Sequence, residues 1–311
     1  MLAIDLLVKK LEEYIGLENI NEVIFNREKQ LYLQFGSSYK EVIDESLDFE
    51  FLFDFCKVLA IKLNLRFDEK YPQLNCSIPN TRYRINALHH SVTANNQIAL
   101  NIRIPNKNTF RLSDFKIKEN LEEVIQKQSD LELNYQNLKT LITQKKNILI
   151  VGGTASGKTS LFNTLIEEIP LEERVISIED SLELEIKNDN KVQMLVSKNE
   201  NTGFTYEKAL NSAMRMSPQR LLLGEIDTRN VMLFLRLANT GHSGMISTLH
   251  ANSPKEAIEA ISMNIKMASG NKDIDYSAVE KYFKSGIDYI IQIKKINYDR
   301  VISEVLNVKK N

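Results

Sequence analysis

Two cysteines, Cys56 and Cys76, are all that the 311 residues contain. Two thiols can build neither a disulfide framework nor a four-cysteine zinc site. Both read as small apolar residues in a reducing compartment. No apolar run approaches the ~20 residues that cross a bilayer. The amino terminus, Met1-Leu2-Ala3-Ile4-Asp5-Leu6-Leu7, lacks a preceding basic region and carries an acid inside its apolar stretch. A secretory signal requires the opposite arrangement, so this segment is expected to be a helix and the chain cytoplasmic. Net charge is also nearly absent, with 40 basic residues against 41 acidic ones. No global field therefore points to nucleic acid or to an anionic membrane, and contact with a membrane is expected to be peripheral. No stretch interleaves aromatic with basic residues, which argues against tracking along a nucleic-acid strand and against direct sequence-specific nucleic-acid binding. Internal repeats and low-complexity tracts are missing as well.

A hydrophobic fraction of 43% and a charged fraction of 26% are those of an ordinary globular protein, and the length suggests two domains. Up to about residue 105 the texture is mixed and mostly strand-like. Val23-Ile24-Phe25 and Leu31-Tyr32-Leu33 flank a polar turn over residues 26–30 and predict a hairpin. Residues 46–64 predict a helix with a phenylalanine-rich face, and further strands are expected at 82–88 and 98–104. In the latter, Ile98, Leu100, Ile102 and Ile104 alternate with Ala99, Asn101 and Arg103, which turns Arg103 away from the apolar face. Residues 105–109 (Pro-Asn-Lys-Asn-Thr) break the pattern. The expected division is an amino-terminal domain over residues 1–105, a linker over 106–115 and a second domain over 116–311. In the second domain, helices alternate with short apolar strands at 148–151, 175–178, 221–223 and 245–249, the pattern of a parallel sheet wrapped in helices. Leu131, Tyr135, Leu138, Leu141 and Ile142 mark one of those helices.

The strand Asn147-Ile148-Leu149-Ile150-Val151 runs directly into Gly152-Gly153-Thr154-Ala155-Ser156-Gly157-Lys158-Thr159, and a helix continues from Ser160. Strand, glycine-rich turn and helix is the setting that a phosphate-binding loop needs. Its glycines let backbone N–H groups converge on phosphate oxygens, and the helix N-terminus adds favourable charge. Lys158 is placed to hold the terminal phosphates and Thr159 to offer its hydroxyl to magnesium. Ala155 stands where such loops often carry glycine; if φ is positive there, alanine costs about 1 kcal/mol.

Three later segments put acids or a histidine at the end of an apolar strand: Glu179-Asp180 with Glu183, Gly224-Glu225, and Leu249-His250. Ligands of open parallel sheets bind beyond the carboxyl ends of the strands. Taken alone, an acid in such a place is ordinarily a turn or capping residue, and a single histidine is ordinarily structural. Their joint occurrence behind a phosphate loop reverses that reading. Ser253-Pro254-Lys255-Glu256 then predicts a helix start with a capping box.

The order of these motifs resembles the secretion-superfamily traffic ATPases, most closely the branch that powers type IV secretion systems. The segments that carry it are Ile178-Glu179-Asp180 with Glu183, Leu223-Gly224-Glu225, and Asn239-Thr240-Gly241-His242 with Thr248-Leu249-His250-Ala251-Asn252-Ser253-Pro254. Asn101-Ile102-Arg103-Ile104-Pro105 is similar to the family's arginine segment. Arg82, with Arg84 close by, stands near its second arginine. The resemblance implies an α/β fold, a RecA-type phosphate-loop ATPase domain beside a smaller α+β domain. It implies ATP and Mg2+ as cofactors, a homo-hexamer, inner-membrane partners of a secretion apparatus, and nucleotide bound between the domains. The site residues it implies begin with Gly152, Gly153, Thr154, Ala155, Ser156, Gly157, Lys158, Thr159 and Ser160 around the phosphates. Thr159 and Glu179 would lie at the metal, Glu183 near it, Glu225 on the attacking water and His250 at the γ-phosphate, while Arg82 and Arg103 would reach the nucleotide.

The chain departs from the family where Asp227 replaces a frequent arginine, and where Ser217 and Gln219 replace arginine and aspartate. Asp227 is expected to cap a helix over 228–237. Alternatives are a type II secretion or pilus motor and a nucleotide-gated scaffold that does not hydrolyse. The four-cysteine element common among assembly motors is missing here, and intact Lys158, Thr159 and Glu225 argue against a silent scaffold.

Overall fold

The computed structural model describes residues 3–105, 110–117, 135–196, 203–270, 275–297 and 299–310. The chain divides into two units: Met1–Asn108 with Asp180–Leu182 and Val196–Thr205, and Thr109–Glu179 with Glu183–Leu195 and Tyr206–Asn311. The expected linker at 106–109 lies outside the described residues, as does Leu131.

The first unit contains α1 (Ala3–Ile15), β1 (Glu22–Arg27), β2 (Gln30–Phe35), β3 (Ser38–Ile43), α2 (Phe49–Lys62), β4 (Gln73–Ser77), β5 (Arg84–Leu88) and β6 (Ala99–Arg103). Its strands form one antiparallel sheet in the order β3-β2-β1-β6-β5-β4. Alternation decides the faces. Val23, Phe25, Leu31, Leu33, Ile85, Leu100 and Ile102 are buried together with Leu11 and Ile15 of α1 and Phe51, Leu52, Phe55 and Leu59 of α2. The hairpin turn is tighter than expected, with only Glu28 and Lys29 outside the strands and Lys29 at a φ of 62°. Helix α2 starts later than the apolar pattern suggested because Asp48 caps it, its side chain accepting from the Phe51 amide at 2.9 Å. It stops before Asn64, whose φ of 55° is left-handed.

The second unit contains β7 (Lys116–Ile117), α3 (Tyr135–Thr143), β8 (Ile148–Val151), α4 (Lys158–Ile166), β9 (Val175–Glu179), β10 (Lys191–Leu195), α5 (Tyr206–Met214) and β11 (Arg220–Leu223). It continues with α6 (Val231–Ala238), β12 (Ile246–Leu249), α7 (Glu256–Ser269), α8 (Tyr276–Gly286), β13 (Tyr289–Ile296) and β14 (Asp299–Asn307). Eight strands run in the order β10-β9-β11-β12-β8-β13-β14-β7. The six from β10 to β13 are parallel, and β14 returns antiparallel beside β13. Every residue of β8, β9, β11 and β12 is buried, as strands covered on both faces must be. Helices α3 and α4 supply Leu138, Leu141, Leu161, Phe162 and Leu165 to this core. Leu112 and Phe115, which fall inside the expected linker, are buried in the same core. Ordered structure of the second unit thus begins earlier than the polar residues suggested.

Candidate active site

β8 ends at Val151, and residues 152–157 turn the chain into α4. Glycine is required at two of these positions. A Cβ on Gly152 would lie 2.4 Å from the Ile293 carbonyl oxygen, and one on Gly157, whose φ is 103°, would lie 2.8 Å from Arg300 Cδ. Ala155 adopts a φ of 58° without a glycine's freedom, the positive value its place in the loop suggested. Ser156 is buried, and among the described residues its hydroxyl has no hydrogen-bond partner.

Lys158 opens α4 and is buried. Its ammonium donates to the carbonyls of Gly152 at 2.9 Å and Gly153 at 3.0 Å, and meets His250 Nδ1 at 3.2 Å. Burial pulls its pKa below the usual lysine value, against the opposing pull of Glu225 and Glu183. An ammonium has donors only, so Nδ1 of His250 accepts and the proton sits on Nε2. That nitrogen lies 2.9 Å from Glu225 Oε1. Lys158, His250 and Glu225 are therefore joined by hydrogen bonds at the ends of β8, β12 and β11, with the last two side chains about half exposed.

The acid that ends β9 and the one four residues on divide their tasks. Glu183 Oε2 accepts from the Thr159 hydroxyl at 3.0 Å. Glu179 instead turns inward: Oε2 accepts from the amides of Glu183 and Leu184, each at 2.8 Å, and Oε1 from the Ser177 hydroxyl at 3.0 Å. It is 2% exposed, and burial raises its pKa although the two amides and the hydroxyl pull the other way. A Cβ on Gly224 would sit 3.3 Å from Glu179 Cγ, so the residue before Glu225 is also the one that lets Glu179 fit. The sequence expectation placed Glu179 on the metal; Glu183 is the acid that reaches Thr159, because Glu179 is occupied in fixing the backbone that carries Glu183.

These groups suit a polyphosphate with a divalent cation. Ser156 has a buried hydroxyl without a partner among the described residues, the Lys158 ammonium is hydrogen-bonded to two carbonyls and the His250 ring, and Thr159 pairs with a carboxylate. No group of three or more His, Cys, Asp or Glu forms a metal cage among the described residues.

Arg82, Arg84 and Arg103 all lie in the first unit. Arg103 ends β6, is exposed, and is the register partner of both Arg84 and Glu22, so it stands on the face away from the core as alternation required. Arg84 pairs with Asp180 at 2.8 Å within that unit, and Arg82 is half-buried in the segment before β5.

Two helix starts differ from expectation. Asp227 does not cap α6, which begins only at Val231 after Asn230. Its carboxylate accepts from the Arg229 amide at 2.8 Å and pairs with the Arg229 guanidinium, because an aspartate readily closes a turn onto the amide two residues on. The guanidinium also lies over the Tyr206 ring, 5.0 Å from its centroid. Ser253 does bind the Glu256 amide, at 3.2 Å, but α7 starts at Glu256 itself, so only that half of the expected box is seen. Sequence reasoning missed Ser177, Arg229 and Arg300. Ser177 could have been found, since it is two positions before Glu179 on the same side of its strand; the others bear no motif.

Residues 63–283 match the family described as "Type II/IV secretion system protein". The chain belongs to that family. Within it, a type IV secretion system protein VirB11 of Bartonella henselae is 30% identical, over 96% of this chain and 91% of that protein. This places the chain among the type IV secretion traffic ATPases. Two solved structures share the fold. The VirB11 ATPase from the Brucella suis type IV secretion system, in complex with sulphate, superposes with a TM-score of 0.53 at 22% identity, covering 99% of this chain and 96% of the other. The Legionella pneumophila ATPase DotB gives 0.64 at 17%, covering 96% and 78%. The RecA-type architecture inferred from the motif order is thus the fold of this traffic ATPase, and ATP is the nucleotide that family membership implies. No described helix is long and apolar enough to cross a membrane.

Proposed function

We propose that the chain hydrolyses ATP with magnesium at the Lys158 loop and that turnover energises a type IV secretion apparatus from the cytoplasmic face of the inner membrane. The observation that carries this reading is the linked set Lys158–His250–Glu225 beside Thr159–Glu183 around one glycine loop. Loop amides and Lys158 bind the β- and γ-phosphates. Glu225, with its carboxylate half exposed, orients the attacking water. His250 hydrogen-bonds both Lys158 and Glu225, so it couples the γ-phosphate position to the acid. Thr159 and Glu183 would hold magnesium, which neutralises charge developing on the phosphate oxygens. Glu179 keeps Glu183 in place through its two amide bonds. A homo-hexamer, inner-membrane partners and peripheral attachment complete the proposal, supported by the relatives' membership of type IV secretion systems.

Glu225→Gln tests the assignment. The variant should bind ATP with nearly unchanged affinity and lose turnover by roughly a hundredfold or more. Retained phosphate release would remove Glu225 from the water-orienting role.

A further inference from the structure

Arg300 lies on β14, in the second unit, and its guanidinium donates no hydrogen bond and makes no ion pair among the described residues. It is half-buried, and burial lowers its pKa with no neighbouring acid opposing the shift. The side chain is nevertheless held firmly. Its guanidinium carbon is 4.3 Å from the centroid of the Phe110 ring, and Phe110 itself packs on Phe115 with ring centroids 6.0 Å apart. The Phe110 carbonyl accepts from the Thr164 hydroxyl of α4 at 2.9 Å. On its other side, Arg300 presses against the phosphate loop: a Cβ on Gly157 would be 2.8 Å from Cδ and 2.9 Å from Nε.

Arg300 is only half-buried, so its donors reach solvent and can exchange water for a ligand. Its guanidinium abuts the residue directly before Lys158. Lys158, Thr159 and their acids occupy the terminal-phosphate end of the loop, so the remaining part of a nucleotide must leave the loop elsewhere. Arg300 offers a flat cation stacked on an aromatic ring, a surface on which a purine base can lie and to which its edge and ribose can hydrogen-bond.

We propose that Arg300, braced by Phe110, is the residue that holds the nucleoside end of the bound nucleotide. The proposal rests on the phosphate-loop assignment above but not on hydrolysis. It separates the site into two parts, a phosphate grip made by α4 and a base platform made by the carboxyl-terminal hairpin.

The test is calorimetric binding of two probes, ADP and inorganic tripolyphosphate, to full-length wild type, Arg300→Ala, Arg300→Lys and Phe110→Leu. Arg300→Ala should weaken ADP roughly tenfold, the scale of one stacked cation contact, and leave tripolyphosphate unchanged. Arg300→Lys should be nearly as poor as alanine, because it keeps the charge but loses the plane. Phe110→Leu should weaken ADP by a few-fold through loss of the brace. Melting temperatures measured without nucleotide should match wild type, which separates a binding role from a packing role. Equal loss for tripolyphosphate, or full rescue by lysine, would make Arg300 a phosphate ligand and overturn the proposal. Unchanged ADP binding in Arg300→Ala would do so too. Failure of the wild type to bind tripolyphosphate would instead strike at the phosphate-loop assignment itself.

Discussion

Ala155 occupies the left-handed region at a φ of 58°, where a Cβ costs roughly 1–2 kcal/mol. Glycine relieves that strain but adds freedom to the unfolded chain. Ala155→Gly should therefore raise stability by a net ~0.5–1 kcal/mol, read as the shift in a denaturant midpoint at constant slope. A drop in stability would show that the alanine methyl makes contacts worth more than its strain. At this scale the sequence was informative wherever chemistry and position coincide. Lys158, Thr159, Glu225 and His250 each follow a short apolar strand, and the structure gathers all four. The division of labour between Glu179 and Glu183 could not be read, because one ends the strand and the other follows it closely. Only the fold of the intervening residues shows which carboxylate turns inward. Arg300 was invisible for a different reason: it becomes meaningful only once β14 is laid beside β13 and the loop.

Elements were legible in proportion to their burial. β8, β9, β11 and β12 are apolar runs because both faces are covered, whereas β3 is almost wholly exposed, lies at a sheet edge and carries no alternation to find. The start of α6 was misplaced because Asp227 suits a turn as well as a cap, and its partner turned out to be Arg229. β11 begins with Arg220, a fully buried guanidinium whose Nε donates to Glu173 Oε2 at 2.6 Å, with Lys145 on the other carboxylate oxygen at 3.3 Å. Among the described residues its two terminal nitrogens have no hydrogen-bond partner. Gly244, at a φ of 78°, makes room for it; a Cβ there would lie 2.5 Å from Nη1. Burial alone would raise the Glu173 pKa, but the Arg220 bond and charge, with Lys145, hold it below the usual carboxylate value. Its contribution to stability is thus present above the unfolded pKa and is lost as pH falls through the folded one. Glu173→Gln should cost about 3 kcal/mol at neutral pH by leaving a buried charge without its counter-ion, and Glu173→Gln with Arg220→Met should recover part of that loss. Thermal unfolding of both variants checks this. A double variant worse than the single one would show that the guanidinium is stabilising in its own right.

Over the whole molecule, the reading is of two units with different work. One is an antiparallel sheet under two helices, with Arg103 exposed on the face away from the core. The other is a parallel sheet whose strand ends converge on a single loop. The parallel-sheet α/β class followed from the rhythm of short apolar strands and helices, and the RecA-type core from the family resemblance. The α+β character of the first unit was implied by the same resemblance, beside one clear alternation and one phenylalanine-rich helix in the residues themselves. Assembly and coupling to secretion are proposed from the relatives' membership of type IV secretion systems. The claim beneath them is that Lys158 is the centre of an ATP-hydrolysing site. Phosphate release from ATP by purified wild type and Lys158→Ala, with and without magnesium, tests it most directly. Steady turnover by wild type that needs magnesium, falling about a thousandfold or more in the variant, is the predicted result. Equal rates in the two proteins, or no turnover by wild type in any assembly state, would contradict it.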